Sequence, residues 1–390
     1  MGTIYQDASQ QFAFSQAIRR DLHQHPEMGF KEVRTAGIIA NELRALGMEV
    51  STGIAKTGVV ALLEGAAPGP TVLIRVDMDA LPIQEDSTRE YCSLNPGVMH
   101  ACGHDGHVAS GLTVARLLHQ HRAEIKGTVK LIFQPAEEGL GGAEMMLAEG
   151  ILENPKPDYC LALHIWNEKP IGWVGVVDGP LMSGAAMFSI RLTGKGGHGA
   201  LPHLAVDPIA AAAQIITGIQ TIVARNLSPL EAGVVTVAQI HAGETFNVIP
   251  KSVEIKGTIR AFEPAVRERI VERFKKLVLG ISDAMGCEAE VEVGGFLPAV
   301  INDAKVAQRI AVRVRQELPQ AELDTKFRTM VSEDMAHIMQ KVPGCYLMVG
   351  GANSEKGLDY PHHHPRFDFD EDALVYAAAT VTSAALELLS

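Results

Sequence analysis

The pattern of apolar and polar positions in the first part of the chain alternates between two periodicities. Apolar residues recur at helical spacing in residues 35–46 and again in residues 107–122. Continuous apolar runs, which are typical of buried strands, occur in GVVALLEG, TVLIRVDMDAL, GTVKLIFQPAEEG and DYCLALHIW. Strands that alternate with helices predict an α/β sheet with helices packed on both faces. In such sheets ligands bind beyond the carboxyl ends of the strands, where several of these runs carry polar clusters.

The pattern changes after the segment GPLMSGA. Strands are predicted at residues 185–193, 234–240, 252–261 and 287–293, and helices at residues 207–226 and 264–285. This βαββαβ order is that of the ferredoxin-like split unit. The α/β pattern then resumes with a helix at 303–318, the strand CYLMVGG and a helix at 370–389. We therefore predict one discontinuous α/β domain, residues 1–181 and 296–390, that carries an inserted domain at residues 182–295.

The composition narrows the class of partner. The 390 residues suffice for two domains, and 47% hydrophobic with 21% charged residues is ordinary globular usage. The net charge of -12 has the wrong sign for a nucleic-acid backbone or an anionic membrane surface. Aromatic residues make up only 5%, whereas there are 15 histidines. We expect small-molecule partners, no nucleic acid and no membrane, and potential metal ligands are plentiful.

The cysteines and the N-terminus indicate the compartment. Five widely spaced cysteines, an odd number, do not form the pattern of a secreted disulfide framework. The N-terminal segment MGTIYQDASQQ lacks the basic and apolar regions of a signal peptide. The most apolar stretch, residues 208–223, is interrupted by glutamines and is too short to span a bilayer. We expect a cytoplasmic protein.

The segment MHACGHDGH holds a thiol and imidazoles close together in sequence. Cys102, His104 and His107 offer metal-competent atoms, and the intervening glycines allow the backbone to bend. The alternative is an ordinary helix start, with His107 opening the helix and Asp105 capping it. Both interpretations can hold at once, because a loop that leads into a helix can carry ligands and also cap that helix.

Further metal-competent residues end other predicted strands. Taken alone, Glu137 and Glu138 are typical of two solvated charges in a turn. Beside a dication, one carboxylate can ligate the metal ion while the other acts as general base for a water molecule. His164 ends an apolar strand and by itself is typical of a hydrogen-bonded core histidine, and a run of three histidines near the C-terminus is by itself a surface cluster. Together, four segments place such residues at one sheet edge: Cys102 with His104, Glu138, His164, and one of His362, His363 and His364. Five ligands exceed a closed four-ligand zinc site, which favours two metals that share a ligand.

Nine motifs, spread in order over nearly the whole chain, carry a family resemblance. They are DMDALPIQE, MHACGHDGH, QPAEEG, HIW, GKGGHGALPH, FNVIP, GTIRAF, SEDMA and HHPRFDFDE. The chain resembles the amidohydrolase branch of the aminoacylase and carboxypeptidase family of two-metal peptidases, which includes hippurate hydrolase, N-acyl-amino-acid amidohydrolases and auxin-conjugate hydrolases. The resemblance implies an α/β, aminopeptidase-like catalytic domain with an inserted lid and dimerisation domain, and hence a homodimer.

The resemblance also implies a ligand set for two divalent metal ions, which can be Zn, Mn, Co or Ni. Cys102 matches a bridging position, His104 and His164 complete one metal, and Glu138 and His363 complete the other. His363 is chosen because the family pattern is His, any residue, Pro, and His363 precedes Pro365 by two positions. His362 and His364 remain alternatives.

Roles for the other site residues follow from the same resemblance. Glu137 matches the general base. Asp77 and Asp79 match acidic positions beside the site; Asp77 stands where other branches have a histidine ligand, and we assign Asp79 to orienting a ligand histidine.

In the inserted domain His198 matches a histidine that reaches into the partner's site and polarises the scissile carbonyl. Without the resemblance it would be a loop histidine bonded to the glycine-rich backbone. Asn247 and Arg260 match residues near the substrate carboxylate, and for Arg260 the alternative is an ion pair with an acid of the same domain. The chain departs from the usual forms at Gly199, at Met335 and in its extra histidines.

The predicted function is hydrolysis of the amide bond of N-acyl or N-aroyl amino acids by a metal-activated water with Glu137 as general base. One alternative is a metallocarboxypeptidase that acts on short or N-blocked peptides. A second class is a metal-independent cysteine hydrolase that uses Cys102 with His104 or His107. A third is a non-catalytic ligand-binding protein on the same scaffold.

Overall fold

The structure is a computed structural model that describes residues 3–390, so residues 1 and 2 of the predicted α/β domain lie outside the described residues. The chain forms two compact units. Among the described residues, unit 1 comprises residues 3–179, Ile301–Phe327 and Asp334–Ser390, and unit 2 comprises Pro180–Val300 and Arg328–Glu333.

The elements are numbered in chain order. The α-helices are α1 Thr3–Gln10, α2 Phe12–Gln24, α3 Val33–Ala45, α4 His104–Gln120, α5 Gly142–Ala148, α6 Pro208–Asn226, α7 Pro264–Ala284, α8 Ala304–Glu317, α9 Ala336–Met339 and α10 Ala373–Leu388. The strands are β1 Glu49–Ile54, β2 Gly58–Glu64, β3 Ala67–Asp77, β4 Lys126–Gln134, β5 Tyr159–Pro170, β6 Trp173–Gly175, β7 Gly179–Met182, β8 Gly184–Thr193, β9 Gly197–His198, β10 Gly233–Ala242, β11 Val248–Ile249, β12 Ser252–Ala261, β13 Glu288–Leu297, β14 Val300–Asn302, β15 Glu322–Asp324 and β16 Gly344–Ala352. Short 3-10 turns lie at Arg122–Glu124, Pro202–Leu204 and Ser354–Lys356.

Unit 1 is built on a mixed eight-stranded sheet with the order β1-β2-β4-β3-β5-β16-β6-β15. Its central strands β4, β3, β5 and β16 are parallel to one another. Strand β2 pairs antiparallel with both β1 and β4 at one side, and β6 pairs antiparallel with β16 at the other. The carboxyl ends of parallel strands meet at one edge, so the residues that follow β3, β4 and β5 are brought together. The predicted α/β class is confirmed.

Helix α4 lies in the core of unit 1, and nearly all of its residues are buried. Its sequence allows this because small residues face the sheet. A Cβ atom at Gly106 would lie 2.5 Å from the Phe369 ring and 2.9 Å from the Ile165 side chain. Glycine therefore lets the first turn of α4 approach β5 at Ile165, next to the predicted site residue His164.

Unit 2 contains an antiparallel four-stranded sheet with the order β10-β12-β8-β13 and the helices α6 and α7. Strand β8 alternates strictly between buried and more exposed positions, as a strand with one covered face must. Its buried side chains join those of the two helices in a separate apolar core, which includes Phe188, Ile190, Ile215 and Phe274. The elements follow one another in the βαββαβ order.

Some elements lack a sequence prediction or begin elsewhere. Helices α1 and α2 and strand β1 were not predicted, and α4 begins at His104 rather than at His107. Within residues 3–390, every helix is too short or too polar to cross a membrane.

Candidate metal centre and active site

The predicted site residues of unit 1 come from different elements and meet at the carboxyl edge of its sheet. Asp77 is the last residue of β3, Glu137 and Glu138 follow β4, and His164 lies in β5. Cys102 stands just before α4. The loop that carries His363 is attached to the same place, because the His363 N–H donates to the Ala101 carbonyl at 2.8 Å.

The possible ligand atoms form two triads that share one thiol. In each triad the ligand atoms lie within 4.8 Å of one another; one triad is Cys102, His104 and His164, and the other is Cys102, Glu138 and His363. Cys102 Sγ is 3.5 Å from His164 Nε2, and His363 Nε2 is 3.1 Å from Glu138 Oε1. A third group adds Glu137 to His104 and Glu138. The two triads together offer ligand atoms that would hold divalent cations, and Cys102 is common to both.

The two buried histidines have one ring nitrogen bonded to a backbone carbonyl. His104 Nδ1 donates to the Asp79 carbonyl at 2.9 Å, and His164 Nδ1 donates to the Ile165 carbonyl at 2.7 Å. In the neutral form of each ring, these bonds leave Nε2 as the unprotonated nitrogen, which is the form that a metal ion binds. His104 Nε2 is buried and has no hydrogen-bond partner among the described residues. Such an orphaned nitrogen is costly unless a ligand engages it, so the donor set fits a divalent metal ion.

The pKa values of two predicted ligands indicate which groups hold protons in the metal-free site. Removal of water, followed by the charge of Glu138, raises the pKa of the Cys102 thiol. Hydrogen bonds to Cys102 and then to Glu138 raise the pKa of His363 to about 10. The thiol and this imidazole therefore hold protons at neutral pH when no cation competes. Since a metal binds the deprotonated forms, loading the site must release protons.

Asp79 contacts two of the predicted ligand segments. Its Oδ1 is 3.3 Å from His104 Nδ1, and its Oδ2 accepts from the Glu138 N–H at 3.0 Å. Burial by itself would raise the pKa of Asp79, but the adjacent His104 ring lowers it below its ordinary value. The main-chain carbonyl of Asp79 thus orients His104, and its carboxylate stabilises the turn that carries Glu138.

Asp77 is engaged by other partners. Its Oδ1 accepts from His107 Nδ1 at 2.6 Å, and its Oδ2 accepts from Arg75 Nη1 at 2.6 Å. Its distance to His104 Nε2 is 3.9 Å. Asp77 therefore lies beside the site while its oxygens are bonded to His107 and Arg75.

The helix-start interpretation of Asp105 is wrong. The residue at the N-cap position of α4 is Gly103, which has a left-handed backbone with φ 88°. Asp105 Oδ2 instead accepts from Arg19 Nε at 2.9 Å and from His23 Nδ1 at 2.8 Å. The reason is that α4 begins at His104, which places Asp105 inside the first turn, where its side chain meets α2.

The three consecutive histidines are separated by the backbone. His363 has a positive φ of 65°, so its neighbours point elsewhere. His362 Nε2 donates to the Ile165 carbonyl at 3.0 Å, and the His364 ring stacks on Tyr360 with the centroids 4.6 Å apart. Of the three, His363 is the one that the structure groups with Cys102 and Glu138.

The predicted residues of unit 2 form their own arrangement. His198 is exposed, pairs with Val248 across the β9–β11 ladder, and accepts the Ala200 N–H at Nδ1 at 3.0 Å. Asn247 is adjacent, since its carbonyl accepts from the Gly199 N–H at 2.8 Å.

Within the described chain, Arg260 does not form the ion pair with an acid of its own domain that was the alternative for this residue; its hydrogen bonds go to uncharged groups. Its Nη1 donates to the Met330 carbonyl at 3.0 Å and to Ser332 Oγ at 3.1 Å. Among the described residues no acidic side chain forms a salt bridge with it, so the charge of Arg260 is not neutralised within unit 2.

Sequence reasoning missed the polar cluster behind α4. Arg19 and His23 are buried on α2, and Arg19 pairs with Asp105, Asp368 and Glu371. Burial by itself would lower the pKa of His23, but the Asp105 carboxylate and hydrogen bonds raise it to about 9. The sequence signal for this cluster is the position of Arg19 and His23 on the buried face of α2. Polar residues at such positions are otherwise typical of a solvent-facing surface.

A parallel-stranded α/β core with histidines, carboxylates and a thiol gathered beyond its strand ends is the arrangement of a metal-dependent hydrolase. Residues 73–387 match the family model described as peptidase family M20/M25/M40. The chain belongs to this family.

The relatives share most of their length with this chain. The chain is 40% identical over 365 residues to N-acetylcysteine deacetylase of Bacillus subtilis (strain 168), covering 93% of each. It is 38% identical to thermostable carboxypeptidase 1 of Saccharolobus solfataricus, covering 93% of this chain and 92% of the relative. Among solved structures, the YxeP protein of Bacillus subtilis, titled a dinuclear metal binding peptidase from the M20 family, superposes with a TM-score of 0.85 at 35% identity. The alignment covers 98% of this chain and 99% of that one.

Proposed function

We propose that this protein hydrolyses the amide bond of N-acyl or N-aroyl amino acids and releases an amino acid with a free carboxylate. The observation that carries the proposal is the pair of ligand triads joined at Cys102. His104 and His164 would hold one divalent metal ion with Cys102, and Glu138 and His363 would hold the other. A thiolate with imidazoles and a carboxylate suits Zn, and Mn, Co or Ni also fit such a mixed set.

The chemistry is divided between the metal ions and the side chains. When bound, the two cations would supply Lewis-acid chemistry that lowers the pKa of a water molecule to about 7. Glu137 accepts the proton of the attacking water and returns it to the leaving nitrogen. Its position supports this role, because Glu137 is partly buried beside His104 and Glu138 but belongs to neither of the triads that share Cys102.

Unit 2 is assigned the substrate and assembly functions. We infer that it is a ferredoxin-like lid and dimerisation domain, and its βαββαβ order and strand order support this. His198 of the partner subunit polarises the scissile carbonyl, while Asn247 and Arg260 bind the substrate carboxylate. The unneutralised guanidinium of Arg260 supports that last role.

Features of unit 2 also support a homodimer. The second half of the edge strand β10 is exposed, and an open edge offers unpaired backbone groups to another chain. Met187 and Phe296 are exposed on the same unit. Sizing chromatography should therefore give a dimer, and a strictly monomeric active enzyme would contradict the role of His198.

A substrate panel tests the proposed reaction. Metal-free protein is reloaded with Zn, Mn, Co or Ni and assayed with N-acetyl, N-benzoyl and indole-acyl amino acids and with N-blocked dipeptides. We expect metal-dependent release of amino acid from the acyl conjugates. If only peptides with a free C-terminus are cleaved, the reaction is that of a carboxypeptidase, a possibility that the carboxypeptidase relative favours.

The same assay addresses the other classes. A cysteine hydrolase would keep its activity in chelator, but the raised pKa of Cys102 disfavours a reactive thiolate in the metal-free site. A binding protein would release no product from any substrate with any metal. Loss of activity in chelator and recovery on metal addition exclude both.

A further inference from the structure

The backbone of one residue, Ile165, is held by three histidines. The Ile165 N–H donates to His107 Nε2 at 2.9 Å. The Ile165 carbonyl accepts from His164 Nδ1 at 2.7 Å and from His362 Nε2 at 3.0 Å. His164 is a proposed metal ligand, whereas His107 and His362 have no part in the proposed reaction.

The position of His107 is fixed from two sides. Its Nδ1 donates to Asp77 Oδ1 at 2.6 Å, so its Nε2 is the unprotonated nitrogen that accepts from Ile165. The ring is buried and meets the His164 ring edge to face, with the centroids 4.5 Å apart. Because both nitrogens of His107 are bonded, this imidazole has no lone pair left for a metal ion.

His362 bonds the carbonyl of Ile165, whereas His107 bonds its N–H. The His362 ring stacks on Trp166 with the centroids 4.7 Å apart and an interplanar angle of 26°. It also meets the His164 ring at 5.0 Å. The stack holds the ring so that Nε2 reaches the carbonyl that His164 also uses. His164 is thus enclosed by two imidazoles that bond the backbone next to it.

We propose that His107 and His362 are positioning residues that set the direction of the His164 ring towards the metal through the backbone of Ile165. We name the pair the histidine clamp. The proposal rests on the proposed function in one respect, which is that His164 ligates a metal. The bond between His164 Nδ1 and the Ile165 carbonyl fixes both the tautomer and the ring plane, and the clamp fixes that carbonyl.

The clamp predicts a specific cost for losing either histidine. Groups that orient a ligand from outside the coordination sphere typically contribute about 10- to 100-fold in metal affinity. His107→Phe and His362→Phe keep an aromatic ring in place but remove the bonds to Ile165. Each should weaken Co(II) binding by about 10- to 100-fold. At saturating Co(II), each should also shift the visible absorption bands, because the ligand direction changes.

Conservative variants separate the hydrogen bond from general packing. The amide of His362→Gln can still donate to the Ile165 carbonyl, and the amide oxygen of His107→Gln can still accept from the Ile165 N–H. Both should retain Co(II) affinity closer to that of the native protein than the phenylalanine variants do. His364→Phe is the matched control, since the His364 ring stacks on Tyr360 and its Nδ1 accepts the Arg366 N–H at 3.0 Å. It should bind Co(II) like the native protein.

The experiment is a Co(II) titration of full-length metal-free protein in competition with a chromogenic chelator, with thermal unfolding as the check on folding. Where His107→Phe does not fold, His107→Asn replaces it, because asparagine still reaches Asp77 but is too short for Ile165. Native-like affinity and spectra in His362→Phe and in the folded His107 variant would overturn the clamp. His164→Ala identifies the other failure: if it also binds Co(II) like the native protein, the proposed ligand set is wrong.

Discussion

The candidate residues of unit 1 and those of unit 2 are held in different ways. In unit 1, His104 and His164 are buried, and each has its second nitrogen bonded to a backbone carbonyl. In unit 2, the His198 side chain is exposed, and among the described residues its one hydrogen bond is to the main-chain N–H of Ala200. Phe246, next to Asn247, is 101% exposed. One group is fixed by a core, and the other is presented at a surface.

This difference indicates what each group requires. A metal ion needs ligands that are already oriented, because any freedom they keep must be lost on binding. Residues that contact a substrate or a second subunit can lie at a surface until that molecule arrives. The comparison therefore predicts that changes in unit 1 act on metal binding or the chemical step, whereas changes in unit 2 act on turnover and substrate affinity and leave the metal content unchanged.

The largest effect is expected from Glu137→Gln. Removing a general base costs about 100- to 10,000-fold in rate, and kcat should fall accordingly. Metal content should stay at the native level, because Glu137 is not a proposed ligand. Stopped assays with an N-acyl amino acid and elemental analysis measure the two quantities. Glu144→Gln, an exposed glutamate of α5, serves as the control with native kcat. Turnover at the native rate in Glu137→Gln would require a different base.

The next effect tests the surface group. His198→Ala should lower kcat by about 100- to 1,000-fold, the usual cost of one oxyanion donor, without changing metal content or dimer mass. His203→Ala, in the same exposed segment, is the matched control and should keep the native kcat. A small change in kcat for His198→Ala would show that the carbonyl is polarised by other groups.

Arg260 provides a smaller and more selective test. Arg260→Lys loses the planar fork of donors, and a charged hydrogen bond contributes about 1.5–3 kcal/mol, so kcat/KM should fall about 10- to 100-fold. The fall in kcat/KM should appear with N-acyl amino acids. It should be absent with N-acyl amino-acid amides, in which a neutral carboxamide replaces the carboxylate. Equal losses for both substrates would mean that Arg260 acts only through its bonds to Met330 and Ser332.

The smallest effect concerns the polar cluster that supports α4. His23 has a raised pKa of about 9 in the folded protein, against about 6.5 unfolded. Its protonated form therefore stabilises the fold fully below about pH 6.5, and this stabilisation is lost as the pH rises through about 9. Urea unfolding of metal-free protein should show His23→Gln to be less stable than the native protein at pH 6, with the gap closing by pH 9.5. If the difference in the free energy of unfolding between the two proteins is the same at both pH values, the charge of His23 does not contribute to stability.

Sequence patterns were sufficient for several strands whose burial leaves a direct periodicity. The alternation in β8 and the apolar runs of β3 and β5 predicted these strands, because burial of one or both faces leaves a direct periodicity. The loop segment MHACGHDGH indicated Cys102, and the end of a predicted strand indicated His164. In the structure, Cys102 Sγ lies 3.5 Å from His164 Nε2.

Contacts between distant residues could not be predicted in that way. Helix α2 buries Arg19 and His23, whose partner Asp105 lies more than 80 positions away, so its inner face looks polar. The bond from His362 to Ile165 joins residues 197 positions apart. The residues alone left the choice among three adjacent histidines open, and only the family pattern favoured His363. The positive φ that separates His363 from its neighbours was not predicted. Long-range hydrogen bonds and single backbone dihedrals are the features that periodicity does not contain.

The most direct test of the central claim is a Co(II) titration of metal-free protein in which thiolate-to-cobalt absorption and hydrolysis of an N-acyl amino acid are followed in the same samples. We predict that the thiolate absorption appears with the native protein and is absent from Cys102→Ser, and that hydrolysis rises from zero and saturates at two equivalents per chain. Full hydrolysis by the metal-free protein, or the same absorption in Cys102→Ser, would contradict a two-metal site joined at Cys102.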